Sequence, residues 1–158
     1  MEFSHLDKLG NLKMVDVSSK PSSERFAKAF ASIRISKELI SKIIDKSIPK
    51  GDIFTTAKIA GIQAAKKTSE LIPLCHPIFI SSIELEFKII EEESKIEVTA
   101  SANSNSVTGL EMEALTAVSI ASLTIYDMCK AIDKSIVIEE IKLLEKKGGK
   151  SGDFRSET

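Results

Sequence analysis

The stretch from Thr108 to Ile132 constrains the fold more than any other part of the chain. Leu110, Ala114, Ala117, Val118, Ala121, Ile125 and Met128 recur at helical spacing and form one apolar stripe. The other faces carry Met112, Leu115, Ile120 and Leu123 among Ser and Thr, with no charge between Glu113 and Asp127. A helix without a charged face must be covered nearly all round. One small sheet covers a single side of it. The small Ala, Ser and Thr residues let another helix come close, so the sequence predicts a homo-oligomer with this helix near the interface. A monomer with a neutral exposed face is the alternative.

Period-two alternation marks the strands that would pack on this helix. From Arg25, Ala27, Ala29, Ala31, Ile33 and Ile35 fall on one side, and Phe26, Lys28, Phe30, Ser32 and Arg34 on the other. Further strands are predicted over 80–91, 95–102 and 135–144, with Glu92-Glu93-Ser94 turning between the first two. Ser36 caps a short helix with Leu39, Ile40, Ile43 and Ile44 on one face, and Asp52 caps a longer one running to about Leu71. Pro73 and Pro77 forbid regular structure over 71–78. The order is strand, helices, strand, strand, helix, strand. That is an α+β ferredoxin-like split βαβ sandwich with an antiparallel sheet and an extra helix in the first crossover. Residues 1–22 read as an irregular arm and 145–158 as a flexible, basic, Gly-rich tail; with no repeat or linker, the 158 residues make one domain.

Charge excludes some functions. Lys+Arg is 22 against 23 Asp+Glu, so no global basic field exists to hold a nucleic acid, and any anion must be held locally. No apolar run reaches the roughly 18 residues of a membrane span. The opening Met1-Glu2-Phe3-Ser4-His5 lacks a signal-peptide layout, which predicts a cytoplasmic protein. Cys75, Cys129, His5 and His76 are the only soft ligands and form no CxxC pair, so no zinc site is expected.

Three groups could carry chemistry. In Pro73-Leu74-Cys75-His76-Pro77 the prolines stiffen the loop and fix the direction of an imidazole, the side chain that naturally titrates near neutrality; a satisfied histidine beside a buried thiol is the plainer alternative. Glu111 and Glu113 diverge on a helix and cannot share a proton, and the helix dipole alone accounts for acidic residues in a first turn. Asp127 and Lys130, at i,i+3, form either an acid/base pair or an exposed ion pair worth under about 1 kcal/mol. Glu113 and Asp127 lie on similar faces but are separated by roughly 21 Å of helix. Both act on one small centre only if the ligand is long or the site combines two chains.

Lys50 precedes a helix N-terminus, a natural place for an anion, whereas at least one of Lys66 and Lys67 reads as a solvated surface charge. The Gly149-Lys150-Ser151 triplet invites a phosphate-loop reading. It fails, because Leu144 stands where the first glycine is needed and no helix follows. A basic tail closing over phosphates and a disordered terminus both stay open.

Seven strings carry a resemblance across nearly the whole chain. They are Met14-Val15-Asp16-Val17-Ser18, Lys50-Gly51-Asp52, Ile59-Ala60-Gly61-Ile62-Gln63-Ala64-Ala65-Lys66 and Leu71-Ile72-Pro73-Leu74-Cys75-His76-Pro77, followed by Thr108-Gly109-Leu110-Glu111-Met112-Glu113-Ala114-Leu115-Thr116-Ala117, Leu123-Thr124-Ile125-Tyr126-Asp127-Met128-Cys129-Lys130-Ala131 and Gly148-Gly149-Lys150-Ser151-Gly152. In this order they resemble the MoaC family of molybdenum cofactor biosynthesis. The resemblance implies a phosphorus-oxygen lyase that rearranges a cyclised dihydro-GTP into a cyclic pyranopterin phosphate and releases diphosphate. It also implies a ferredoxin-like fold and a hexamer built as a trimer of dimers, with active sites at the dimer interface.

By that resemblance Asp127 and Lys130 match acid/base positions, and Lys50 a catalytic or phosphate-facing lysine. Leu74, Cys75, His76, Met112 and Glu113 match substrate contacts, with Arg25, Lys66, Lys147 and Lys150 as further phosphate contacts. No resident metal or cofactor is implied, though magnesium could accompany the triphosphate. Val107 departs from the pattern, which usually carries a basic residue before the Thr-Gly; a phosphate contact from there is absent or supplied elsewhere. Two rivals from other classes remain: a regulatory module that binds a nucleotide without turnover, and an RNA-binding sheet. The second is weak, since the strands lack a run of exposed aromatics and aromatic content is 5%.

Overall fold

The computed structural model describes residues 9–150 and 152–157. Residues 1–8 of the expected arm (His5 included), Ser151 of the glycine-rich triplet and Thr158 lie outside the described residues. The elements are β1 (Ser23–Arg34), α1 (Lys37–Ile44), α2 (Ile53–Lys66), α3 (Thr68–Leu71), β2 (Ser82–Ile90), β3 (Lys95–Ser106), α4 (Glu111–Cys129), β4 (Val137–Lys147) and β5 (Phe154–Arg155). The sheet order is β2-β3-β1-β4-β5 with antiparallel neighbours, the ferredoxin-like arrangement extended by one short edge strand.

The alternation in β1 decides which face the helices cover. Ala27, Ala29 and Ala31 pair with Ala102, Ala100 and Val98, and all six are fully buried. Small side chains on the central strands let the helical layer sit close to the sheet. Leu110, Ala114, Ala117, Val118, Ala121 and Ile125 of the expected stripe are fully buried against it, and Met128 nearly so. Gly61 of α2 meets α4 where a methyl group would stand 2.5 Å from Leu85 Cδ2 and 2.9 Å from the Ala117 carbonyl oxygen. Met112, Leu123 and Tyr126 remain exposed on the far side of α4.

Ser36 accepts from Leu39 N (3.2 Å), and Asp52 accepts from Phe54 N and Thr55 N (3.1 Å each), as the capping residues predict. The expected long second helix instead breaks at Lys67 into α2 and the single turn α3. Buried Thr68 donates its hydroxyl to Ala65 O at 3.0 Å, offering the backbone a competing local bond there. β3 continues past Ala102 to Ser106 because its polar end still pairs with the start of β1. β4 begins two residues later than expected, since Asp133 accepts from Ser135 N and Oγ (2.8 and 2.6 Å) and holds a turn. The tail expected from Glu145 contains the last residues of β4 and all of β5, with Arg155 paired to Glu145 and Phe154 to Lys146.

Candidate active site

Three neighbourhoods collect the chemistry-bearing side chains. The first is a cleft of about 440 Å³ between the proline-bracketed loop and the start of α4. Leu74, Cys75, His76, Met112 and Glu113 all line it, so residues separated by 36 positions or more in sequence share one wall. The opposite wall is the N-terminal arm at Val15, Val17 and Lys20. His76 Nε2 lies 2.7 Å from the Val15 carbonyl oxygen. A carbonyl can only accept, so Nε2 carries a proton and donates it to Val15 O.

Glu113 is 3% exposed, and its Oε2 has no hydrogen-bond partner among the described residues. Burial drives its pKa up to about 7, helped by the charge of Glu111 and opposed by a backbone hydrogen bond. The Cys75 thiol is also pushed up, by burial and then by Glu113. An ionised Glu113 would therefore hold its neighbour in the thiol form.

The second neighbourhood lies at the other end of α4. Lys130 Nζ is 2.7 Å from Asp127 Oδ1, while Lys50 Nζ is 3.6 Å from Oδ2 and donates to the Asp127 carbonyl oxygen at 2.9 Å. Lys50 thus caps the helix C-terminus and does not serve the helix N-terminus that follows it in sequence. The Lys130 hydrogen bond and charge, then the Lys50 charge, hold the Asp127 carboxyl below its ordinary range. All three side chains are about half exposed, open to a ligand on their outer side.

The third is a basic cleft of about 800 Å³ holding Lys20, Arg25 and Lys150. It shares Lys20, Thr108, Gly109 and Glu111 with the Glu113 cleft, so the two are continuous. Lys146 Nζ pairs with Glu111 Oε1 at 3.0 Å on the shared wall. Among the described residues no three His, Cys, Asp or Glu side chains gather to hold a metal, and no helix is long and apolar enough to cross a membrane.

Comparison with known proteins bears on this geometry. The MoaC family profile matches residues 14–149. The chain belongs to the MoaC family. A relative from Peptoclostridium acidaminophilum named cyclic pyranopterin monophosphate synthase is 53% identical over 158 residues, spanning 100% of this chain and 99% of its own.

Within this MoaC chain the phosphate contacts expected from sequence separate. Arg25 and Lys150 share the basic cleft. Lys66 is exposed in the last turn of α2 and lines none of these clefts. Lys147 pairs with Phe26 in the register and stands over its ring at 5.5 Å, on the open face of the sheet. Lys146 pairs with buried Ala27 and so takes the helix-facing side beside Glu111. Sequence reasoning missed Lys146, Glu111 as its partner, and Lys20. The motif Met14-Val15-Asp16-Val17-Ser18 was the one signal that the arm belongs to a site.

Proposed function

We propose that this chain is a cyclic pyranopterin monophosphate synthase, a phosphorus-oxygen lyase converting cyclised dihydro-GTP to cyclic pyranopterin monophosphate with release of diphosphate. The observation that carries the reading is the gathering of Lys50 and Lys130, 80 positions apart in sequence, on the one Asp127 carboxylate at 3.6 and 2.7 Å. Opening and reclosing a ring system requires proton transfers, and a carboxylate held between two ammonium groups provides acceptor and donors together. Closing a cyclic phosphate expels diphosphate, whose developing charge needs cations; Lys20 and Lys150 supply them in the basic cleft that Arg25 also lines. Glu113, Cys75 and His76 present a half-buried polar wall suited to the edge of a purine-derived ring. The reading assigns no resident cofactor, and magnesium would arrive with the triphosphate as part of the substrate.

The Glu113 end and the Asp127 end lie roughly 21 Å apart on one straight helix, too far for one ring system. The proposal therefore places the working site across two copies, each giving one end of α4, within a cytoplasmic trimer of dimers. The exposure of Met112 (36%), Leu123 (53%) and Tyr126 (37%) on the uncovered side of α4 supports burial against another copy. The test is to give the purified protein cyclised dihydro-GTP and follow diphosphate release and pterin formation. Turnover is expected; binding without product would sink the enzyme reading in favour of a nucleotide-binding module.

A further inference from the structure

Arg25 is an unusual member of the basic cleft. Its Nε donates to Ser106 O at 3.2 Å and its Nη2 to Val107 O at 3.4 Å. The guanidinium is thereby fixed to the backbone that leads into Thr108-Gly109 at the start of α4. Its other flank lies against the glycine pair after β4. Gly149 has φ +91, and a Cβ built there would overlap Arg25 Nη1. Gly148 has φ +87, and a Cβ there would overlap the Glu24 carbonyl oxygen. Both glycines therefore serve a close approach as well as a left-handed backbone. One planar side chain stands between the two segments that bear Thr108-Gly109 and Lys150.

We propose that Arg25 is a positioning residue: it spaces the Ser106–Gly109 backbone from Gly149, so that Lys150 and the start of α4 line the same anion-holding cleft. The inference rests on the proposed function in assigning that cleft to the triphosphate end of the substrate. A lysine at position 25 would keep the charge and lose the fork that reaches two carbonyls at once. Charge and geometry are thus separable by substitution.

The probe is inorganic tripolyphosphate, with its Kd measured by calorimetry on the full chain. KM and kcat for cyclised dihydro-GTP are read in parallel, and circular dichroism and assembly size serve as controls. Arg25→Lys and Arg25→Gln should weaken binding alike, by about tenfold, with the loss falling mainly on KM. Gly149→Ala, which leaves every cation in place, should give a similar loss. The Arg25→Lys/Gly149→Ala pair should be no worse than either single change, because both disturb one contact.

Arg25→Lys binding within twofold of the parent while Arg25→Gln fails would overturn the inference and make Arg25 a direct phosphate ligand. Independent, multiplying losses in the pair would overturn it too. If Gly149→Ala does not fold, the Lys and Gln variants still decide between charge and geometry. Parent protein that binds tripolyphosphate without turning over cyclised dihydro-GTP defeats the proposed function and leaves this inference standing. Normal turnover by Arg25→Lys defeats this inference alone.

Discussion

Replacing Glu113 by glutamine should make the protein more stable at neutral pH and change how its stability depends on pH. The carboxyl is 3% exposed with an unpartnered oxygen, and burial moves its pKa from 4.5 to about 7. The folded state therefore holds this proton more tightly than the unfolded chain does. Below about pH 4.5 both states are protonated and the site costs nothing through ionisation. As pH rises toward 7 the unfolded chain loses the proton first, so stability falls, and above about 7 the full cost is present. At about 1.4 kcal/mol per tenfold in proton affinity, that cost is about 3 kcal/mol.

Glutamine keeps the shape and cannot ionise, so the variant should escape this cost. Urea midpoints at matched protein concentration across pH 4.5 to 8 measure it, the concentration being fixed because assembly contributes to stability. The difference between variant and parent should grow by about 3 kcal/mol across that range. A difference that stays constant with pH would show that Glu113 ionises normally in the folded protein. In that case the burial argument for its place in the cleft, and for its hold on the Cys75 thiol, fails.

Other perturbations test other parts of the structure. Asp127→Asn should cut product formation by about 10²- to 10⁴-fold with assembly size unchanged, since it removes the acceptor between Lys50 and Lys130; normal turnover would remove Asp127 from the mechanism. Gly61→Ala should lower stability by about 1–3 kcal/mol in urea unfolding, because the added methyl meets the Ala117 carbonyl oxygen at 2.9 Å and backbone cannot yield cheaply. Asp133→Ala should cost about 3 kcal/mol by leaving Ser36 N and Ser135 N without their acceptor. Burial pushes the Asp133 carboxyl up, but hydrogen bonds from Ser135 and Ser36 outweigh it and hold the group below its ordinary 3.8. Its contribution is thus present above about pH 4 and lost as pH falls through the folded value, so variant and parent should converge in acid.

Much of the fold was legible because it is written in local periods. The alternation of Ala27, Ala29, Ala31 and Ile33, the caps Ser36 and Asp52, and the apolar stripe from Leu110 to Met128 each follow from bonds within a few residues. The proline-bracketed loop and the pair Asp127/Lys130 were legible for the same reason. Lys67 shows the limit: a buried threonine hydroxyl interrupts a helix whose pattern continues through it.

What the sequence determined by itself was the order and type of the four long strands and the main helices, though not of α3 or β5, and through its motifs the family. Where each charged group ends up was decided only by the tertiary structure. The irregularity in the β1–β4 register between Lys28 and Ala29 hands the helix-facing side from Leu143, opposite Ala29, to Lys146, opposite Ala27, and so turns Lys147 away. A shift of one residue exchanges the faces of a strand, and no local pattern announces it. Glu113 looked like a first-turn partner of the helix dipole until the arm and the Cys75–His76 loop closed over it. Lys50 reaches Asp127 across 77 positions of sequence, because electrostatic distance follows the path of the folded chain and not the numbering.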